Sequence, residues 1–87
     1  VSVYPNPFNP ATRIEFDLSR SMSVRISVYD VNGREVSTLS DGVMDAGRHE
    51  LIWNGRNSSG GNVSSGIYFC RMVTESTSHT MKMVLLR

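Results

Sequence analysis

Few side chains in this sequence are of types that do chemistry, and their spacing assigns them no reaction. The single cysteine, Cys70, lies in the apolar run Ile67-Tyr68-Phe69-Cys70-Arg71-Met72-Val73. A nucleophilic thiol needs a basic partner or an electropositive setting to become a thiolate. No histidine stands near it in sequence, so Cys70 is expected as a small buried hydrophobe. One cysteine makes no internal disulfide and falls short of the Cys/His sets that hold zinc. His49 alternates with Leu51 and Trp53 and is expected on their face as a satisfied, partly buried histidine. His79 is expected in a turn, with no second ligand at metal-site spacing. Asp30-Val31-Asn32-Gly33 opens like a calcium loop but lacks the fifth-position ligand, the sixth-position Gly and the closing Glu. Hairpin chemistry accounts for it. Asn57-Ser58-Ser59 and Asn62-Val63-Ser64 match the glycosylation sequon, which is short enough to recur by chance. Ser64 and Ser65 precede Gly66 without the Gly-x-Ser-x-Gly elbow of a serine nucleophile. The sequence thus predicts no catalytic residue, metal, cofactor or small-molecule substrate. Its one Trp and three Tyr are expected in the core rather than on a sugar-binding face.

Composition narrows the class. Eighty-seven residues make one small domain, near the size at which a single core suffices. Hydrophobic residues at 39% and charged residues at 20% are globular values and argue against disorder. Nine Lys and Arg face eight Asp and Glu, scattered along the chain, so the basic stripe of a nucleic-acid binder is missing. No apolar run approaches the roughly 18 residues of a membrane-spanning helix. The chain starts at Val1 with neither an initiator Met nor a signal peptide, and it is expected to be an excised or processed piece of a longer protein.

The elements that position these residues are strands. Ile14, Phe16 and Leu18 alternate with Arg13, Glu15 and Asp17, the period of a half-buried antiparallel strand over Thr12 to Leu18. Val24, Ile26 and Val28 alternate with Arg25 and Ser27 in the next strand. Asn32-Gly33 supplies a tight hairpin turn, because both residues tolerate positive φ. A strand from Arg34 to Leu39 is expected to end at Ser40-Asp41-Gly42. Asp45-Ala46-Gly47 is a second turn before His49 to Trp53. Trp53, the only tryptophan, is the expected core anchor. The Gly-, Asn- and Ser-rich stretch Asn54 to Gly61 is a loop. Gly66 opens the strand Ile67 to Val73, apolar on both faces and therefore central. Glu75 to Ser78 form a polar turn, and Thr80 to Leu86 the last strand. Six or seven strands at this spacing, with no amphipathic helix, predict an all-β antiparallel sandwich of immunoglobulin or fibronectin-III type.

The Pro-punctuated run Tyr4-Pro5-Asn6-Pro7-Phe8-Asn9-Pro10 stands apart. Three prolines fix φ and remove three backbone donors, which bars the run from a central strand. It is expected along a sheet edge or crossing between sheets, with Tyr4 and Phe8 available to plug the core. Residues 1–10 are read as a Pro-rich lead-in to one sandwich domain spanning residues 1–87, the C-terminal module of a larger protein.

This run is followed by Val28-Tyr29-Asp30, Gly33-Arg34, Ala46-Gly47-Arg48-His49, Trp53-Asn54-Gly55-Arg56, Ser65-Gly66-Ile67-Tyr68 and Lys82. In order and spacing the series resembles the type A C-terminal sorting domains of the type IX (Por) secretion system. Those domains overlap in sequence with the immunoglobulin-like domain of the flagellar hook-capping protein FlgD. The resemblance implies a non-catalytic domain that directs an exported bacterial protein, attached to N-terminal cargo domains, through outer-membrane secretion machinery to the cell surface or medium. It further implies removal by a sortase-like surface peptidase acting upstream of Tyr4. The family positions carried over are Tyr4, Pro5, Asn6, Pro7, Gly66, Tyr68 and Lys82. From the residues themselves, the strand Thr80 to Leu86 is expected to offer its backbone edge for strand addition. Lys82 and Arg87 are expected to flank that strand as positive contacts or as edge protection. The alternatives are a hook-cap-like assembly module and a passive accessory domain of an extracellular enzyme.

Overall fold

The computed structural model describes residues 1–87. Seven strands follow one another: β1 (Ser2–Tyr4), β2 (Thr12–Leu18), β3 (Met22–Tyr29), β4 (Glu35–Met44), β5 (Gly47–Trp53), β6 (Gly66–Thr74) and β7 (Ser78–Leu85). They form two antiparallel sheets, ordered β1-β2-β5 and β4-β3-β6-β7. This is the all-β sandwich that the alternating pattern predicts, because each period-two strand has one apolar face to bury against the other sheet.

The parity of each strand sets the core. In β2, Thr12, Ile14, Phe16 and Leu18 are buried while Arg13 and Asp17 face solvent. Val24, Ile26 and Val28 of β3 and Tyr68, Cys70 and Met72 of β6 meet them from the second sheet. Met83 and Leu85 of β7 complete that side, and Trp53 at the end of β5 is 1% exposed. Full burial of side chains this size stabilises by roughly 1.5–3 kcal/mol each relative to exposure. β6 is an inner strand, flanked by β3 and β7. Its outward face is not covered: Phe69 is half-buried, and Ile67 and Val73 are exposed.

Three local expectations are corrected. Ser40-Asp41-Gly42 does not end a strand; β4 continues to Met44, with Gly42 opposite Val24 and Asp41 opposite Arg25. The polar triplet lies on an outer strand with one wet face, and the Arg25–Asp41 ion pair, 3.0 Å, takes up its charge. Two bulges, at Val36 and Leu39, give β4 its extra length, and both residues pack on the core. His79 is not in a turn: it lies in β7 opposite Met72, and Ser78 already belongs to that strand. At the β3–β4 connection only Gly33 takes a positive φ, +80°. The Asp30 carboxylate organises this turn by accepting bonds from the N–H groups of Asn32 and Arg34.

Candidate functional site

The two ends of the chain form one structure. β7 is an outer strand of the four-stranded sheet, and its C-terminal half is covered by the Pro run. The Asn6 side chain does this as a stand-in for a peptide group: Nδ2 donates to the Lys82 carbonyl at 2.8 Å, and Oδ1 accepts from the Val84 N–H at 2.9 Å. Phe8 N–H then donates to the Val84 carbonyl, and Leu86 N–H donates to the Phe8 carbonyl. The logic follows from composition. Pro5 and Pro7 have no N–H to give, so the donor beside Lys82 comes from the amide between them. Thr12 Oγ1 donates to the Pro5 carbonyl at 2.6 Å and ties the run to β2.

Phe8 carries the run into the core. It is 2% exposed, and its ring meets Trp53 edge-on with centroids 5.6 Å apart. Trp53 meets Tyr68 in the same manner at 5.2 Å. The polar tips of both are satisfied: Trp53 Nε1 donates to the Arg56 carbonyl and Tyr68 Oη to the Ser64 carbonyl. A tyrosine hydroxyl bonded to backbone four residues upstream repeats the tyrosine corner of immunoglobulin-like sandwiches.

Arg87 closes the other end. Its N–H donates to Ser65 Oγ at 2.8 Å, its Nε to the Val63 carbonyl, and its Nη2 to the Gly55 carbonyl. Gly55 has φ +72°, and a Cβ there would stand 2.6 Å from Arg87 Nη2 and 3.2 Å from the Pro10 carbonyl. Only glycine fits that junction. Sequence reasoning placed Gly55 in a motif without finding this contact; its neighbours are the opposite ends of the chain, and no local signal marks them.

The sequence-predicted positions therefore separate. Asn6, Tyr68 and Trp53 join one network with Phe8, and Pro5 and Pro7 shape its exposed path. Gly66 opens β6 opposite Leu85. Tyr4 does not plug the core. In β1 only one of two successive side chains can face inward, and Val3, opposite Ile14, takes that place. Tyr4 is 65% exposed, with the Arg13 guanidinium 5.9 Å from its ring centroid. Lys82 is exposed, opposite Phe69. Arg87, though exposed, donates to backbone carbonyls. The edge of β7 is not wholly open either. Its outward groups at Val84 and Leu86 are taken, while those of Thr80 and the Lys82 N–H take no bond.

The remaining chemistry is restrained. Burial pushes the Cys70 thiol up to about 11, where it stays protonated. His49 stacks on Phe16 at 5.4 Å and donates from Nε2 to the Asp45 carbonyl. The Arg34 N–H first, and then that of Asn32, hold the Asp30 carboxyl below its usual value. The arrangement holds chain ends together and presents strand edges and charges.

Comparison with known proteins agrees with this geometry. The family model described as the FlgD Ig-like domain matches residues 6–78. No curated protein matches the sequence. Dimeric latent PorU from Porphyromonas gingivalis has a similar structure, with a TM-score of 0.82 and 22% identity over 99% of this chain. PorZ from the same organism, an essential surface component of its type-IX secretion system, aligns with 100% of the chain at a TM-score of 0.68 and 24% identity. The chain spans 9% of the length of PorU and 11% of that of PorZ. FlgD from P. aeruginosa aligns at a TM-score of 0.65 and 23% identity, over 95% of this chain and 70% of its own.

Proposed function

Because the chain belongs to the FlgD Ig-like domain family, we propose that it is a non-catalytic C-terminal sorting module. It hands an exported bacterial protein to type IX outer-membrane machinery. Residues 1–87 form one module at the end of a longer chain, with residues 1–10 as its lead-in. Cargo domains precede it, and a sortase-like peptidase cuts upstream of Tyr4. The protein passes through the periplasm to the cell surface or medium. The observation that carries this reading is the fold shared over the full chain with PorZ, a surface component of that secretion system.

A folded signal makes physical sense. With nearly balanced charge, the module is distinguished from other periplasmic proteins by shape and edges rather than by net electrostatic attraction. A hook-cap-like assembly role is the second reading, favoured by the likeness to FlgD of P. aeruginosa.

The test is export of a signal-peptide-bearing fluorescent reporter fused ahead of residues 1–87, in a bacterium with type IX machinery. Deleting Lys82 to Arg87 removes Met83 and Leu85 from the core and unfolds the signal, so Lys82→Ala and Arg87→Ala are the informative variants. Reporter at the surface with the intact module, and in the periplasm with Lys82→Ala or Arg87→Ala, is the expected result. Periplasmic reporter in every case overturns the sorting reading for that host.

A further inference from the structure

The outer face of the four-stranded sheet carries a groove of about 330 Å³ lined by Tyr29, Asp30, Val31, Phe69, Arg71 and Thr80, among others. The strand register explains the lining. Phe69 lies between Tyr29 of β3 and Lys82 of β7, and Arg71 lies opposite Thr80. Period two puts all of these on one face. Charge marks the same place. Of the nine cations, Arg13, Arg20, Arg25, Arg34 and Arg48 pair with carboxylates. Arg87 is bonded to carbonyls. Arg56, Arg71 and Lys82 have no acidic partner, and two of these three flank Phe69.

We propose that this face docks an extended acidic polypeptide segment of a partner protein, with its carboxylates on Arg71 and Lys82 and one apolar side chain in the groove between Tyr29 and Phe69. Asp30, tied to Arg34 at 3.4 Å, closes one end of the groove and repels acid there, which orients the segment. A polypeptide fits better than an anionic polysaccharide for two reasons. Tyr29 and Phe69 are half-buried, so they wall a slot for a side chain instead of offering the open ring face on which a sugar stacks. The unbonded backbone groups of Thr80 and Lys82 stand at the same rim and suit peptide partners. The proposal does not depend on export.

The test is fluorescence polarisation with the 87-residue chain and a labelled peptide alternating Glu and Leu. A Lys/Leu peptide serves as the opposite-charge control and polygalacturonate as competitor. Arg71 and Lys82 are exposed, so Arg71→Ser with Lys82→Gln leaves the fold intact, checked by circular dichroism. This double variant is expected to weaken the Glu/Leu peptide about tenfold or more, through the loss of complementary charge. Arg56→Gln, which also removes an unpaired cation, is expected to leave affinity unchanged. Failure of the Glu/Leu peptide to bind overturns the proposal, as does an equal loss in Arg56→Gln. Polygalacturonate binding that needs Arg71 and Lys82, with no peptide binding, assigns the face to polysaccharide instead.

Discussion

Single side chains with fixed surroundings set the behaviour of the core. Trp53 touches Phe8 on one side and Tyr68 on the other, so its truncation leaves a cavity between the Pro run and β6. Trp53→Ala is expected to cost about 3–5 kcal/mol, a large share of a small domain's stability. Denaturant unfolding followed by far-ultraviolet circular dichroism reads this without the lost fluorophore; an unchanged midpoint removes Trp53 as anchor. Cys70 shows the opposite kind of side chain, one whose chemistry is silenced. With its thiol at about 11 and 1% of its surface exposed, it is expected to react with a disulfide reagent only after unfolding. Labelling as fast in the native protein as in denaturant excludes this.

Elements add what no residue has alone. In the β3–β4 hairpin, Asp30 accepts from two backbone N–H groups and faces Arg34, and its carboxyl lies below its ordinary value. A depressed acid stabilises the fold above its unfolded pKa, about 3.9, and that contribution disappears as pH falls through the folded value. Asp30→Asn is therefore expected to be less stable at neutral pH and to converge with the native chain in acid. Melting curves from pH 7 to about pH 2 check this; parallel curves disprove it. On the outer strand β7 the equivalent group is Asn6. Asn6→Ala removes two hydrogen bonds and is expected to cost about 1–2 kcal/mol at about 1 kcal/mol net each. It also bares the outward groups of Lys82 and Val84, and an uncovered edge invites pairing with a second chain. Sedimentation of the variant is expected to show more self-association than the native chain.

At the scale of the molecule, the two termini are one structural unit. Phe8 is in the core, the Pro run covers β7, and Arg87 reaches the loop that also receives the Pro10 carbonyl. Removing residues 1–8 is thus expected to lower the melting temperature by more than the loss of an exposed tail would, and to promote association through β7. A melting temperature equal to that of the full chain shows that the lead-in is dispensable. How the molecule came to be legible follows the range of each interaction. The sequence by itself determined the positions of β2 to β7, their inward faces and the burial of Trp53, Cys70 and the β2 and β3 apolar residues, but not the short strand β1. Alternation is written into neighbouring positions and needs only a second sheet to bury against. Tertiary structure alone decided that Tyr4 faces out, that β4 runs on past Ser40-Asp41-Gly42, that Arg87 binds the Val63 and Gly55 carbonyls, and that Asn6 serves β7 as a peptide group. The partners of Asn6 lie 76 and 78 residues along the chain, and a hydrogen bond between such distant groups is fixed by how the two sheets meet, not by any local preference.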